Sequence, residues 1–208
     1  MKSRRIGLVL ILSVILVLLS LTPVLMRGRM QQSGLPVAQA EQAALPNLGP
    51  VPAFSLIDES GKDWSSDSLK GKVWVADFFL TRCQGACPVM ARHMGALQDY
   101  FKNNDSVRFV SISVEPEKDT PEVLVSYAKQ YEADTTRWKF LTGPISEIHR
   151  MAGTEGFKVG VPDDPMQHSR RFILVDAQGN MRGYYEGMEE MSVRECAADI
   201  ERLLEEQH

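Results

Sequence analysis

The feature that most constrains the fold of this chain is a pair of cysteines, Cys83 and Cys87, placed directly after an apolar run. The run covers residues 73–80 and reads VWVADFFL, a pattern typical of a strand buried on both faces. A helix that begins near Cys87 would bring both sulfur atoms to one point. Two thiols at one point either exchange electrons as a disulfide or bind a soft metal ion.

The first 29 residues differ in character from the rest of the chain. Residues 6–26 are almost wholly apolar and uncharged, and these 21 residues match the length needed to cross a bilayer core of about 30 Å. Three basic residues precede the run and favour an orientation with the N-terminus in the cytoplasm. We expect residues 1–29 to form an uncleaved transmembrane anchor. The alternative is a cleaved signal peptide, for which residues 38–40 have the small-x-small form.

Charge separates the same two parts of the chain. Residues 1–30 carry five basic and no acidic residues, so the remainder carries 18 basic against 27 acidic residues, a net charge of −9. An acidic domain argues against nucleic acid as a partner. Either interpretation of the N-terminus places the remainder outside the cytoplasm, where disulfides persist. We therefore predict a single-pass protein of the cell membrane with its soluble domain outside the cytoplasm, on the periplasmic side in a bacterium.

Strands and helices alternate beyond a linker predicted over residues 30–49. The predicted strands are 73–80, 107–114, 138–141, 171–176 and 181–186, and the predicted helices are 88–101, 121–131, 144–151 and 192–206. An irregular loop covers residues 154–168. This order predicts an α/β domain over residues 50–208 with a thioredoxin-like layout, in which a central mixed sheet is flanked by helices.

The spacing of the cysteine pair favours reactive chemistry over a structural disulfide. The Cα atoms of Cys83 and Cys87 would lie about 6 Å apart, close enough for a disulfide or a shared metal ion. A structural disulfide is disfavoured because closing so short a loop contributes little stability in the chain-entropy model. Free N–H groups and the helix dipole should lower the pKa of Cys87, and the same effect can extend to Cys83. Cys196, on the apolar stripe of the last helix, is interpreted as a buried unpaired thiol.

A histidine is the candidate third ligand, because two sulfur atoms do not complete a metal site. His93 faces away from Cys87 on the predicted helix, His149 lies in a short helix, and His208 is the terminal residue. His168 precedes a late strand whose loop would pass the cysteine turn, so it is either a site residue or an ordinary loop histidine. Two thiolates and one imidazole suit Cu(I) and Cu(II), although zinc also accepts such ligands.

Three segments resemble the Sco/SenC proteins, which are membrane-anchored, copper-binding proteins of thioredoxin fold that help to assemble the copper centre of cytochrome c oxidase. They are Phe78–Pro88 with both cysteines, Val110–Pro121, and His168 ahead of Phe172–Gly179. The resemblance runs from about residue 50 to the end and includes the N-terminal anchor. It implies that Cys83, Cys87 and His168 bind copper, as Cu(I) or Cu(II).

The resemblance implies a copper-binding assembly factor that delivers copper to the oxidase copper centre or prepares its cysteines. The implied partner is the oxidase subunit that accepts copper, with another copper chaperone or a thioredoxin-like reductant as further partners. One alternative is a membrane-anchored thiol-disulfide oxidoreductase in which Cys83 attacks and forms a reversible disulfide with Cys87. Another is a redox or copper sensor. Gln84 replaces a proline common in the family, and Glu115–Asp119 departs from its usual second motif, so the subgroup stays open between copper donors and thiol reductases.

Overall fold

A seven-stranded sheet runs through the computed structural model, which describes residues 44–160 and 170–206. In these ranges the strands are β1 (Ser55–Asp58), β2 (Asp63–Ser65), β3 (Val73–Phe79), β4 (Val107–Ser113), β5 (Trp138–Thr142), β6 (Arg171–Val175) and β7 (Met181–Glu186). The helices are α1 (Ala86–Tyr100), α2 (Pro121–Gln130), α3 (Ile145–Ala152) and α4 (Glu190–Glu205), and a 3₁₀ turn covers Ser66–Leu69.

The sheet is mixed, with the strand order β2-β1-β5-β4-β3-β6-β7. Strands β3, β4 and β5 are parallel, whereas the other neighbours are antiparallel. The chain returns from β3 to β4 through α1, and from β4 to β5 through α2. Strand β3 therefore lies in the interior of the sheet, and all seven of its residues are buried. This arrangement confirms the predicted α/β domain with a central mixed sheet.

The alternation of side chains along β3 divides the core into two layers. The odd-numbered apolar residues from Val73 to Phe79 pack with α1, α2 and α4, and the even-numbered residues from Trp74 to Phe78 pack with α3. Asp77 is the polar exception on the first of these faces. The layer that contains α1 is also the layer that receives the cysteine pair.

The elements predicted from residue 73 onward are all present, with ends that differ by one or two residues. The helix expected to begin at Pro88 begins at Ala86, which places Cys87 in its first turn. Strands β1 and β2 were not predicted. They form a short antiparallel hairpin, and β1 pairs with β5.

The segment before β1 hydrogen-bonds to the turn between β6 and β7. The Leu48 N–H donates to the Met181 carbonyl at 2.8 Å, and the Val51 N–H donates to the Gly179 carbonyl at 2.9 Å. In the described part of the chain, no helix is long and apolar enough to cross a membrane. The predicted anchor over residues 1–29 falls outside that part and stays a prediction, as do the predicted domain boundaries.

Candidate functional site

The two predicted site cysteines lie where β3 ends and α1 begins. The chain turns between Phe79 and Ala86, and inside this turn the Cys83 N–H donates to the Leu80 carbonyl at 3.3 Å. Gly85 is the residue before α1, and no described side chain caps this end of the helix. The first N–H groups of α1 are therefore open to hydrogen bonds with atoms of the preceding turn.

Cys83 is half-buried, and its sulfur atom faces these N–H groups. The Gly85 N–H donates to Cys83 Sγ at 3.4 Å. Burial is the largest single effect on the pKa of Cys83, and burial alone would raise that pKa. Hydrogen bonds from the N–H groups of Cys87, Gly85 and Ala86 and from the Cys87 thiol together outweigh burial. The pKa of Cys83 therefore lies below its usual value, and the residue has the character of a reactive thiol.

Cys87 has the opposite environment, with 1% of its surface exposed. Burial raises the pKa of Cys87 to about 12, and the neighbouring Cys83 and Asp77 act in the same direction against a weaker hydrogen bond from the Leu80 backbone. The expectation of a lowered pKa at Cys87 is therefore wrong. Its side chain packs into the layer beneath α1, where desolvation dominates, and the N–H groups of the helix start stabilise Cys83 instead.

Asp77 lies in β3 on the same face as the cysteine layer and was not singled out from the sequence. It is 3% exposed, and its Oδ1 atom has no hydrogen-bond partner among the described residues. Burial raises the pKa of Asp77 to about 7, against a hydrogen bond with Ser111. Ser111 is its register partner on β4 and also accepts from Trp138 Nε1 at 2.9 Å. The sequence signal that could have identified Asp77 is an acidic residue inside an otherwise apolar strand pattern.

The loop between β4 and α2 holds the cysteine turn from the neighbouring strand end. Asp119 accepts hydrogen bonds from Thr81 Oγ1 at 2.5 Å, from the Thr81 N–H at 3.2 Å and from Ser113 Oγ at 2.5 Å. Glu115 accepts two hydrogen bonds from the Arg82 guanidinium, each at 2.5 Å. The Arg82 guanidinium holds the pKa of Glu115 at about 2, so this carboxylate stays charged.

The third predicted ligand, His168, belongs to residues 161–169, which lie outside the described ranges. The chain is described again from Arg170, and β6 then runs antiparallel to β3, with Ile173 opposite Ala76. The start of β6 is therefore at the edge of the sheet where β3 ends and the cysteine turn begins. Among the described residues, no group of three His, Cys, Asp or Glu side chains converges to hold a metal ion. The role of His168 stays a prediction.

The other histidines and the third cysteine considered in the sequence do not belong to the described cysteine turn. The His93 Nδ1 atom is 2.8 Å from the Gly187 carbonyl oxygen, in the connection between β7 and α4. His149 is exposed on α3. Cys196 is 0% exposed in the middle of α4, and burial raises its pKa, which confirms the predicted buried thiol. His208 falls beyond the last described residue.

A mixed sheet whose inner strand leads through a two-cysteine turn into a helix defines a thioredoxin-like protein with a Cys-x-x-x-Cys site. The family model described as SCO1/SenC matches residues 44–205. The chain therefore belongs to the SCO1/SenC family, which confirms the resemblance found in its motifs.

Individual relatives agree with this assignment. The SCO1 protein homolog of Bacillus subtilis is 38% identical over 156 residues, which are 72% of this chain and 80% of that protein. The structure of BsSco is 35% identical with a TM-score of 0.67, over 76% of this chain and 96% of that one; it is described as a member of the Sco family of cytochrome c oxidase assembly proteins with a disulfide switch. The copper-bound structure of ScoI from Bradyrhizobium japonicum is 26% identical with a TM-score of 0.60, over 74% of this chain and 99% of that one. These structures confirm the predicted thioredoxin-like fold.

Proposed function

We propose that this chain is a copper-binding assembly factor for cytochrome c oxidase. In this proposal Cys83, Cys87 and His168 bind copper outside the cytoplasm, and residues 1–29 anchor the chain in the cell membrane. The copper passes to an oxidase subunit, or the thiols prepare the cysteines of that subunit to receive it. The observation that carries the proposal is the pair of thiols that share one helix start, one of them half-exposed with a lowered pKa.

The chemistry of the two sulfur atoms suits a soft metal ion as cargo. Thiolates are soft ligands that select Cu(I) among the common biological metals. Cys83 ionises more easily than an ordinary cysteine, whereas Cys87 must give up a proton against its raised pKa when it becomes a ligand. Copper binding should therefore release a proton from Cys87 and should strengthen as pH rises. Membership of a family with a copper-bound relative and a named oxidase assembly protein supports copper as the metal and the oxidase as the destination.

Titration of the reduced full-length chain with Cu(I), in competition with a chelator of known affinity, tests the proposal. We expect one equivalent to bind tightly, loss of this binding in Cys83→Ser and Cys87→Ser, and weaker binding in His168→Ala. Cys196→Ser is the matched control, because Cys196 is a buried thiol on another helix, and its variant should bind copper as the parent does. Absence of stoichiometric binding, or binding that persists in both site cysteine variants, would refute the proposal.

A second candidate function, thiol-disulfide oxidoreductase, is favoured by the asymmetry of the pair. Cys83 is the more exposed thiol with the lower pKa, so it would attack a partner disulfide, and the buried Cys87 would then resolve the mixed disulfide. Oxidase activity in a deletion strain separates the two functions. Rescue by added copper indicates delivery of the metal, whereas rescue only by a small-molecule reductant indicates thiol chemistry.

A further inference from the structure

The loop between β4 and α2 is attached to the cysteine turn through a buried carboxylate. Asp119 is 0% exposed, and three donors meet its two oxygen atoms: the hydroxyl and N–H of Thr81 and the hydroxyl of Ser113. Thr81 and Asp119 are 38 residues apart in the chain. Because a buried carboxylate with several donors has a fixed position, this contact joins the ends of two neighbouring strands rigidly.

Other contacts also restrain the turn in the described structure: Leu80 and Cys83 pack against the core beneath α1, and two polar contacts are more exposed or longer than that of Asp119. Its internal hydrogen bond, from the Cys83 N–H to the Leu80 carbonyl, is long at 3.3 Å, and the turn ends in the exposed Gly85. The second attachment to the loop is the bidentate ion pair of Arg82 with Glu115, and because the Arg82 side chain is 56% exposed, solvent screens this pair more than it screens the buried contact of Asp119. The contact between Thr81 and Asp119 is therefore the most deeply buried polar attachment of the turn among the described residues.

We propose that Asp119 is a positioning residue, which holds the turn through Thr81 so that the Cys83 sulfur stays against the first N–H groups of α1. Those N–H groups stabilise negative charge on the sulfur only while the sulfur is held within hydrogen-bond distance, as the contact from Gly85 at 3.4 Å shows. The role is one of geometry, because Asp119 reaches the sulfur through Thr81 and not directly. It rests on the proposed use of Cys83 as a reactive thiol, for copper or for a disulfide.

A loosened turn should shift the balance between the dithiol and the disulfide. Weaker contact with the N–H groups makes the Cys83 thiolate less stable, and this favours the disulfide over the dithiol. A reduced form that is less stabilised corresponds to a less oxidising pair. The contact between Thr81 and Asp119 therefore favours the open, reduced pair, which is the form that can bind copper.

The test compares three threonine variants of the full-length chain in detergent. Thr81→Val removes the hydroxyl that Asp119 accepts and keeps the branched shape, and Thr81→Ser keeps the hydroxyl. Thr136→Val is the matched control, because the hydroxyl and N–H of Thr136 bind Asp134 at 2.6 and 3.0 Å in the same way, in the loop before β5. Thr81→Ala provides a second variant without the hydroxyl if Thr81→Val does not fold.

Each variant is equilibrated with mixtures of glutathione and glutathione disulfide. Closing the bond between Cys83 and Cys87 transfers two electrons and two protons to one glutathione disulfide, which becomes two glutathione thiols. We expect the equilibrium constant for closure to rise about three- to tenfold in Thr81→Val, the size expected for one lost hydrogen bond, with Thr81→Ser and Thr136→Val close to the parent. The rate at which iodoacetamide modifies Cys83 should fall by a similar factor in Thr81→Val.

The outcomes separate this role from the proposed function. An unchanged equilibrium constant in Thr81→Val, an equal change in Thr136→Val, or no recovery in Thr81→Ser would overturn the positioning role of Asp119. A parent chain whose Cys83 reacts with iodoacetamide no faster than a free cysteine would instead overturn the proposed use of Cys83 as a reactive thiol. A reactive parent combined with a shifted Thr81→Val and unshifted controls supports both.

Discussion

The cysteine turn before α1 and the middle of α4 contain the same functional group in opposite settings. Cys83 lies at a helix start, half-exposed, with N–H groups that lower its pKa. Cys196 lies within a helix, wholly buried, and burial followed by the charge of Asp199 raises its pKa. In a helix interior every N–H group already bonds to the preceding turn, whereas the first N–H groups of a helix are open to a sulfur atom. Burial opposes this effect, because Cys87 lies in the first turn of the same helix as the open N–H groups but is buried, and its pKa is raised. A thiol of this fold is therefore reactive where it is both partly exposed and in contact with open N–H groups.

The two regions also differ in what they cost the fold. Cys196 packs among apolar side chains, as does the rest of its layer. Beneath the cysteine turn the same layer contains Asp77, a buried carboxylate with one oxygen atom that no described residue satisfies. Such a group is expensive to bury unless it is neutral. The buried carboxylate of Asp77 therefore destabilises the site region, whereas the apolar packing around Cys196 stabilises the α4 region.

The largest expected effect tests this difference in cost at Asp77. Its pKa is raised from 3.8 to about 7, so the folded chain binds the proton more tightly than the unfolded chain. The contribution of Asp77 to the free energy of unfolding should therefore fall as pH rises from about 4 to about 7, and then level off. Asp77→Asn should remove this slope and be more stable than the parent by up to about 4 kcal/mol at pH 8, with little difference at pH 4.

Chemical denaturation of parent and variant at pH 4, 6 and 8 measures this difference. The parent at pH 4 is the internal control, because a protonated carboxyl and an amide have nearly the same shape. Two parallel curves, with equal stability differences at pH 4 and pH 8, would contradict the assignment of the cost to ionised Asp77.

A smaller effect compares the three thiols directly. At pH 7 iodoacetamide should modify Cys83 at least about thirtyfold faster than Cys87 or Cys196, because it reacts with the thiolate, and the pKa of Cys87 is about 12 while that of Cys83 is lowered. Peptide mapping of the folded, reduced chain after short labelling gives the three rates. In guanidinium chloride the rates should converge. Equal labelling of Cys83 and Cys196 in the folded chain would remove the contrast between the two regions.

The smallest effect separates packing from chemistry at Cys196. Cys196→Ala should lower the free energy of unfolding by about 1–2 kcal/mol, because it leaves a small cavity in a fully buried position. Cys83→Ala, at a half-exposed position, should cost less than about 0.5 kcal/mol. Denaturant titration of both variants beside a Cu(I) titration completes the comparison. Loss of copper binding in Cys196→Ala would contradict a purely structural role for that thiol.

The sequence predicted the elements that follow a strong pattern. The run over residues 73–80 and the helix after Cys87 combine an apolar pattern with clear start and end signals, so both were found within two residues of their bounds. Strands β1 and β2 were not predicted because they have four and three residues, too few to show a periodic pattern. They are strands because β1 pairs with β5, which is distant in the chain.

The electrostatics of the site could be predicted only in part. The helix start correctly indicated a stabilised thiolate, but the sequence could not tell which sulfur faces the N–H groups and which faces the core. This depends on the rotation of α1 against β3, and it reversed the expectation for Cys87. The contact between Thr81 and Asp119 was equally hidden, because it arises from two parallel strands that end at the same edge.

The burial of β3 has a consequence for how a partner meets the cysteines. All seven residues of β3 are buried and β4 pairs with it along its whole length, so its amide hydrogens should be among the last in the domain to exchange with solvent. The turn continues from this slowly exchanging strand and is fastened to the next strand end by Asp119. A partner therefore encounters a preformed surface around Cys83. Among the described residues, β3 and the fastened turn should therefore shift little when a partner binds.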